Sequence, residues 1–167
     1  TFSNGYMSFD GTDDRIVLAS NVNTPVLGWT VYMILDPVAS QSSTGWNYWF
    51  MQTANAGHKY EFGSYGTAGN TFAFKDNIAG GTYVAADFTS PSLLTFGVTR
   101  GGFSFISLNG AAKSVDDTVG WSGGDNISFG TLFSTYATNC RALAIYTREL
   151  SDNEVLQNYN ALKGRLQ

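Results

Sequence analysis

The chain has a single cysteine and a single histidine, three prolines, and only 13% charged residues among its 167 positions. Each scarcity excludes something. One cysteine, Cys140, cannot close an intrachain disulfide or supply a thiolate zinc set, so it is expected to be a buried structural thiol in an apolar strand. Nine Lys and Arg against thirteen Asp and Glu give a net charge of −4. No basic stripe is available to neutralise phosphates, which argues against nucleic acid as a partner. No apolar run approaches the roughly 20 residues of a membrane-spanning helix. No secretory leader pattern is visible before the first strand.

What is present points to β-structure. Hydrophobic residues make up 43% of the chain and aromatics 15%, with 19 glycines. That is enough apolar material for a sizeable core without disulfides or metal, and the length suits one domain over 1–167.

Short apolar or alternating runs follow one another between turn residues. Tyr6–Phe9 and Arg15–Leu18, separated by Asp10-Gly11-Thr12-Asp13-Asp14, predict a hairpin. Trp29–Leu35 is apolar on both faces, so it is expected in a central strand covered on both sides. Asn47–Met51 follows. Lys59–Phe62 and Thr71–Lys75 alternate with period two. Thr82–Ala85, Leu93–Thr99, Phe103–Leu108, Asn126–Phe129 and Cys140–Tyr146 complete the pattern. Asn109-Gly110 is the strongest tight-turn signal, because a type I′ turn needs positive φ at both central positions.

The tail differs. Ser151 precedes Glu154 by three residues, the capping-box spacing. Val155, Leu156, Tyr159 and Leu162 recur at helical spacing and predict one apolar stripe. The expected architecture is all-β, a two-sheet antiparallel jelly-roll sandwich with one short C-terminal helix.

Several segments carry a resemblance. Met7–Leu18 is similar to the opening hairpin of laminin-G-like domains, within the concanavalin A-like lectin/glucanase superfamily. Gly28–Leu35 is similar to their second strand, and Leu94–Gly102 with Phe105–Gly110 to their central hairpins. Ile145–Val155 is the nearest match. The ending Gln157–Arg165 also resembles the ends of such domains in tailed-phage structural proteins. The resemblance implies a two-sheet jelly roll with one concave sheet. It implies function only coarsely, since one fold hosts many activities. Relatives often carry an acidic pair before the strand that enters the final helix. Arg141 and Ala142 stand there instead, which argues against a cation site of the family type.

Catalytic chemistry finds little to use. A glycosidase needs two carboxylates flanking the scissile bond. The glutamates are Glu61, Glu149 and Glu154, and the helix cap accounts for the last. His58 beside Lys59-Tyr60 could serve a lyase as general base, but a strand-edge or loop histidine is the reading preferred for it. The chain is therefore read as non-enzymatic, with no resident cofactor. The acidic loop gives Asp116, Asp117 and Asp125 as the calcium candidates, although short acidic turns usually serve as turn formers.

Carbohydrate recognition needs aromatic faces beside amide or carboxylate groups. Tyr65 and Trp121 lie in Gly-rich loops and Trp46 and Tyr83 at strand edges, with Asn70 and Asn126 nearby. These six are the candidate carbohydrate-binding residues, whereas Trp29 and Trp49 are assigned to the core. The expected function is a non-catalytic carbohydrate-recognition or adhesion domain displayed on a virion or secreted assembly. Its partner would be a surface glycan or other virion proteins. A structural capsid-decoration or fibre domain that self-assembles as a homo-oligomer is the alternative, and a polysaccharide hydrolase or lyase a more distant one.

Overall fold

The computed structural model describes residues 2–3, 5–10, 15–24, 28–37, 46–53, 59–65, 71–76, 80–85, 90–116, 127–133 and 137–167, with side chains described for 5–10, 28–36, 90–116 and 138–167. Among these residues the chain is mostly antiparallel β-sheet with one short C-terminal helix. The strands are β1 (Phe2–Ser3), β2 (Tyr6–Asp10), β3 (Arg15–Thr24), β4 (Trp29–Pro37), β5 (Trp46–Thr53), β6 (Lys59–Tyr65), β7 (Thr71–Asp76), β8 (Gly80–Ala85), β9 (Ser92–Val98), β10 (Ser104–Leu108), β11 (Ser114–Asp116), β12 (Ile127–Phe133) and β13 (Ala137–Tyr146). Helix α1 spans Asp152–Leu162 and runs into a 3-10 turn at Lys163–Leu166.

A seven-stranded sheet has the order β1-β2-β13-β4-β9-β10-β11. A second sheet runs β5-β6-β7-β8, and β12 pairs with β3. β12 approaches β5, while β8 approaches β10 and β11.

The centre of the seven-stranded sheet is the core. Trp29, Val31, Ile34, Leu93, Leu94, Phe96, Val98, Phe105 and Ile106 are completely buried. As its apolar run on both faces predicts, β4 lies between β13 and β9, covered on both sides apart from the partly exposed Tyr32 and Asp36. Gly97 is required by packing, since a Cβ there would run into the Trp29 carbonyl oxygen and the Phe105 ring. Cys140 is buried as expected; burial pushes its thiol up to about 11, against a weaker opposing effect of the backbone at Ala142.

Asn109-Gly110 forms the expected tight turn. Their φ values are 51° and 75°, and Ala111 N–H donates to the Leu108 carbonyl at 3.0 Å. Asn109 also caps the start of β9. Its N–H donates to Leu93 O at 2.8 Å, and its Oδ1 accepts from Leu93 N–H at 2.9 Å. The turn lies against the helix, where a Cβ on Gly110 would come within 2.7 to 2.9 Å of Tyr159.

Two expectations are corrected. Tyr6–Phe9 and Arg15–Leu18 do not form a hairpin. β2 is flanked by β1 and β13 and β3 pairs with β12, so the Asp-rich segment 10–14 connects different sheets. Both edges of β2 are already taken, which leaves no ladder for β3 to join. The helical stripe is also narrower than predicted. Val155 is buried, but Leu156 is 45% exposed, because one residue further along turns the side chain by about 100° off the packed face.

The capping box forms. Ser151 Oγ accepts from Glu154 N–H, and Glu154 Oε2 accepts from Ser151 N–H at 2.8 Å. Glu154 also forms a fork with Arg148, at 3.0 and 2.7 Å. The Arg148 hydrogen bond, then those from Ser151, hold the Glu154 carboxyl at about 2. Beside it, Glu149 ties three elements together. Its Oε2 accepts from Arg100 N–H at 2.8 Å and its Oε1 from Lys113 Nζ at 2.7 Å. Lys113 also donates to the Leu150 carbonyl and lies 4.9 Å from the centre of the Phe105 ring. Burial pushes the Glu149 carboxyl up, but the hydrogen bonds and charge of Lys113 and Arg100 outweigh it, so it lies below its ordinary value.

Candidate functional site

The four-stranded sheet brings several candidate aromatics to one face. Residues directly opposite in an antiparallel ladder share a face, and alternate residues along a strand return to it. Trp46 and Tyr65 are opposed across β5 and β6. Two residues in, Tyr48, Gly63, Ala73 and Tyr83 form one row across all four strands. A further row is Met51, Glu61, Lys75 and Gly81. Trp46, Tyr48, Tyr65 and Tyr83 therefore occupy one face, together with the opposed charges Glu61 and Lys75. Small residues, Gly63 and Ala73, separate Tyr48 from Tyr83, a span of about 14 Å at ordinary strand spacing.

The other face has a different character. It carries Phe50, Phe62 and Phe74 in one row and Phe72 and Val84 in the adjoining one. Asn47 and Ser64 share the row of Phe72 and Val84, and Gln52, Tyr60 and Asp76 form the next, so the apolar character of this face is concentrated in the phenylalanine row.

Of the six candidate carbohydrate residues, three are thus placed. Tyr65 is not in a loop as expected but ends β6, because that strand runs three residues past Phe62. Trp46 begins β5, and Tyr83 lies inside β8, the end strand of its sheet. Trp121, Asn70 and Asn126 lie outside the described residues, as does His58. Tyr48 joins the face without having been a candidate. A register shift between Tyr48 and Phe50 puts these two residues on opposite faces, where unbroken alternation would have kept them together.

Among the metal candidates, Asp116 ends β11 opposite Ser104. Asp117 and Asp125 lie outside the described residues. Among the described residues no three His, Cys, Asp or Glu side chains gather as a metal-binding set.

Arg141 stands at the position where relatives of the resembled family carry an acidic residue. It sits at a register shift in β13. Its Nη2 donates to Asp36 Oδ2 at 2.6 Å, and its Nη1 donates to the carbonyls of Arg165 and Gln167 at 2.8 and 2.6 Å. An arginine in that position clasps the tail to the sheet where an acidic side chain would repel Asp36.

No family model matches the chain, and no curated protein matches it. Solved structures do. A Trypanosoma rangeli sialidase matches over 96% of this chain and 33% of its own, at 7% identity and a TM-score of 0.65. The binding domain of botulinum neurotoxin serotype D matches over 94% of this chain and 43% of its own, at 11% identity and 0.63. A botulinum neurotoxin type C structure, described by its interaction with two ganglioside molecules, matches over 87% and 36%, at 14% identity and 0.58. The chain spans between a third and under a half of these solved chains. At such identities the likeness is one of fold.

Proposed function

We propose that this chain is a non-catalytic carbohydrate-recognition domain, and that it binds its glycan on the Trp46, Tyr48, Tyr65 and Tyr83 face of the four-stranded sheet. The observation that carries the reading is the register, which gathers these four aromatic positions on one face and most of the phenylalanines of the same strands on the other. Sugar C–H faces stack on flat rings, and hydroxyls hydrogen-bond to the charged and hydroxylated positions around them. Gly63 and Ala73 leave a low floor on which a saccharide could lie between Tyr48 and Tyr83.

On this reading residues 1–167 form one laminin-G-like, concanavalin A-like two-sheet jelly roll, with the four-stranded sheet as its recognition surface. The similar neurotoxin structures are by their descriptions receptor-binding or ganglioside-interacting, which favours a surface glycan as partner. The phage-like ending of the chain favours display on a virion or outside a cell. Among the described residues the face carries one carboxylate position, Glu61, opposed by Lys75 and Met51, which suits binding better than a two-carboxylate hydrolysis.

The test is a glycan array probed with the purified protein, with and without calcium, beside a measurement of its mass in solution. Calcium-independent binding to one glycan class supports the reading. Absence of binding by a folded homo-oligomer overturns it in favour of self-assembly, with the same rings as subunit contacts.

A further inference from the structure

A second place in the fold offers different chemistry. An open cavity of about 460 Å³ is lined, among the described residues, by Gly5, Tyr6, Arg141 and Arg165. These belong to the turn before β2, to β2 itself, to β13 and to the 3-10 turn, and to none of the strands β5 to β8. Two guanidinium groups line one cavity of a chain whose net charge is −4.

The two arginines are in unlike states. Arg141 is fixed: Asp36 neutralises it and two tail carbonyls hold its Nη1. Its Nε is buried and has no hydrogen-bond acceptor among the described residues. With Nε closed to solvent and both Nη atoms engaged, Arg141 shapes the cavity wall and leaves the free charge to Arg165. The Arg165 side chain is exposed and makes no ion pair among the described residues. It can turn its planar fork toward a carboxylate, the geometry that suits guanidinium best. Tyr6 adds a hydroxyl and a flat ring. A bare inorganic ion would leave most of 460 Å³ empty, whereas a single sugar ring is of the size such sites hold.

We propose that this cavity binds the carboxylate of an acidic sugar residue, with Arg165 as the charge partner and Tyr6 against the ring, beside the fixed guanidinium of Arg141. Its described lining residues come from none of the strands of the aromatic sheet face, and the proposal does not require that face to bind anything.

The test is a backbone amide NMR titration with three probes: N-acetylneuraminic acid, glucuronic acid and neutral glucose. Binding of either acid with shifts at Gly5, Tyr6 and Arg165 is expected, and the acid that binds more tightly identifies the source of the carboxylate. Arg165→Gln should weaken it about tenfold, the loss of one charge-assisted contact, and Tyr6→Phe should weaken it less. Arg165→Gln keeps the backbone carbonyl that Arg141 uses, so an unchanged thermal melt separates lost binding from lost folding. Shifts by neither acid, equal shifts by glucose, or undiminished binding in a folded Arg165→Gln variant would each overturn the proposal. Binding at the sheet face is read at residues 46–85 instead, so the two sites can fail independently.

Discussion

Trp46 and Tyr65 are Cα partners at one end of the β5–β6 ladder, so two aromatic positions separated by 18 residues of chain share one face of one sheet. If they stack on a sugar, replacing either by alanine removes ring contact worth about 1 kcal/mol, or a little under tenfold in affinity. Trp46→Ala and Tyr65→Ala should each weaken glycan binding by that factor, while the melting temperature changes by less than about 3 °C, as for a position outside the core. Calorimetry of binding and of unfolding on the same samples checks both halves.

Gly110 should tolerate no side chain. Its φ is 75°, and a Cβ there meets the Tyr159 ring. Gly110→Ala is expected to cost about 2 kcal/mol or more, the left-handed conformation and the contact adding together. Urea unfolding monitored by tryptophan fluorescence would measure it. Gly110→Ala combined with Tyr159→Ala should recover only the share of the loss due to the ring, because the Cβ of residue 159, at 2.7 Å, and the backbone strain both remain.

Acid should loosen the attachment of the helix before it loosens the sheets. Glu149 and Glu154 both have carboxyls held below their ordinary value in the folded protein. A depressed folded-state pKa contributes stability above the unfolded pKa and loses it as pH falls through the folded one. Stability should therefore decline as pH falls from about 5, with the Glu154 share lost last, toward its folded value of about 2. Glu149→Gln should flatten the upper part of this decline. Ser151→Ala, which removes the cap, should cost about 1 kcal/mol at neutral pH. Denaturant unfolding at a series of pH values for the three proteins would show it.

Cys140 should be inert in the native protein. Its thiol is buried and pushed up to about 11, so little thiolate exists at pH 8. A colourimetric thiol reagent should react at the rate of unfolding, and at once in urea. Rapid reaction without denaturant would contradict the burial.

Much of the fold is legible in the sequence because its signals are local. The capping spacing of Ser151 and Glu154 and the Asn109-Gly110 turn each depend on a few adjacent residues, and both form as read. The apolar run of Trp29–Leu35 marks a strand between two neighbours, which β4 is. Pairing is less legible. The segment from Asp10 to Asp14 looks like a hairpin turn, yet β2 and β3 go to different sheets, because the partner of β2 is β13, more than a hundred residues away. The aromatic face was half legible: Trp46, Tyr65 and Tyr83 stand out as residue types, but a local reading cannot see that they share a face. Tyr48 was hidden by the bulge before Phe50, which reverses the alternation. The Arg141 clasp was legible only as an odd residue in place of an acidic one; its partners Asp36 and the 3-10 turn are distant in sequence.

The central claim is that the Trp46, Tyr48, Tyr65 and Tyr83 face binds sugar. Its most direct test is a backbone amide NMR titration of the whole chain with the best oligosaccharide from the array. The account predicts saturable shifts centred on residues 46–48, 63–65, 73 and 83, absent in a folded Trp46→Ala, Tyr65→Ala double variant. Saturable shifts confined to other strands, with the double variant binding as tightly as the parent, would contradict it.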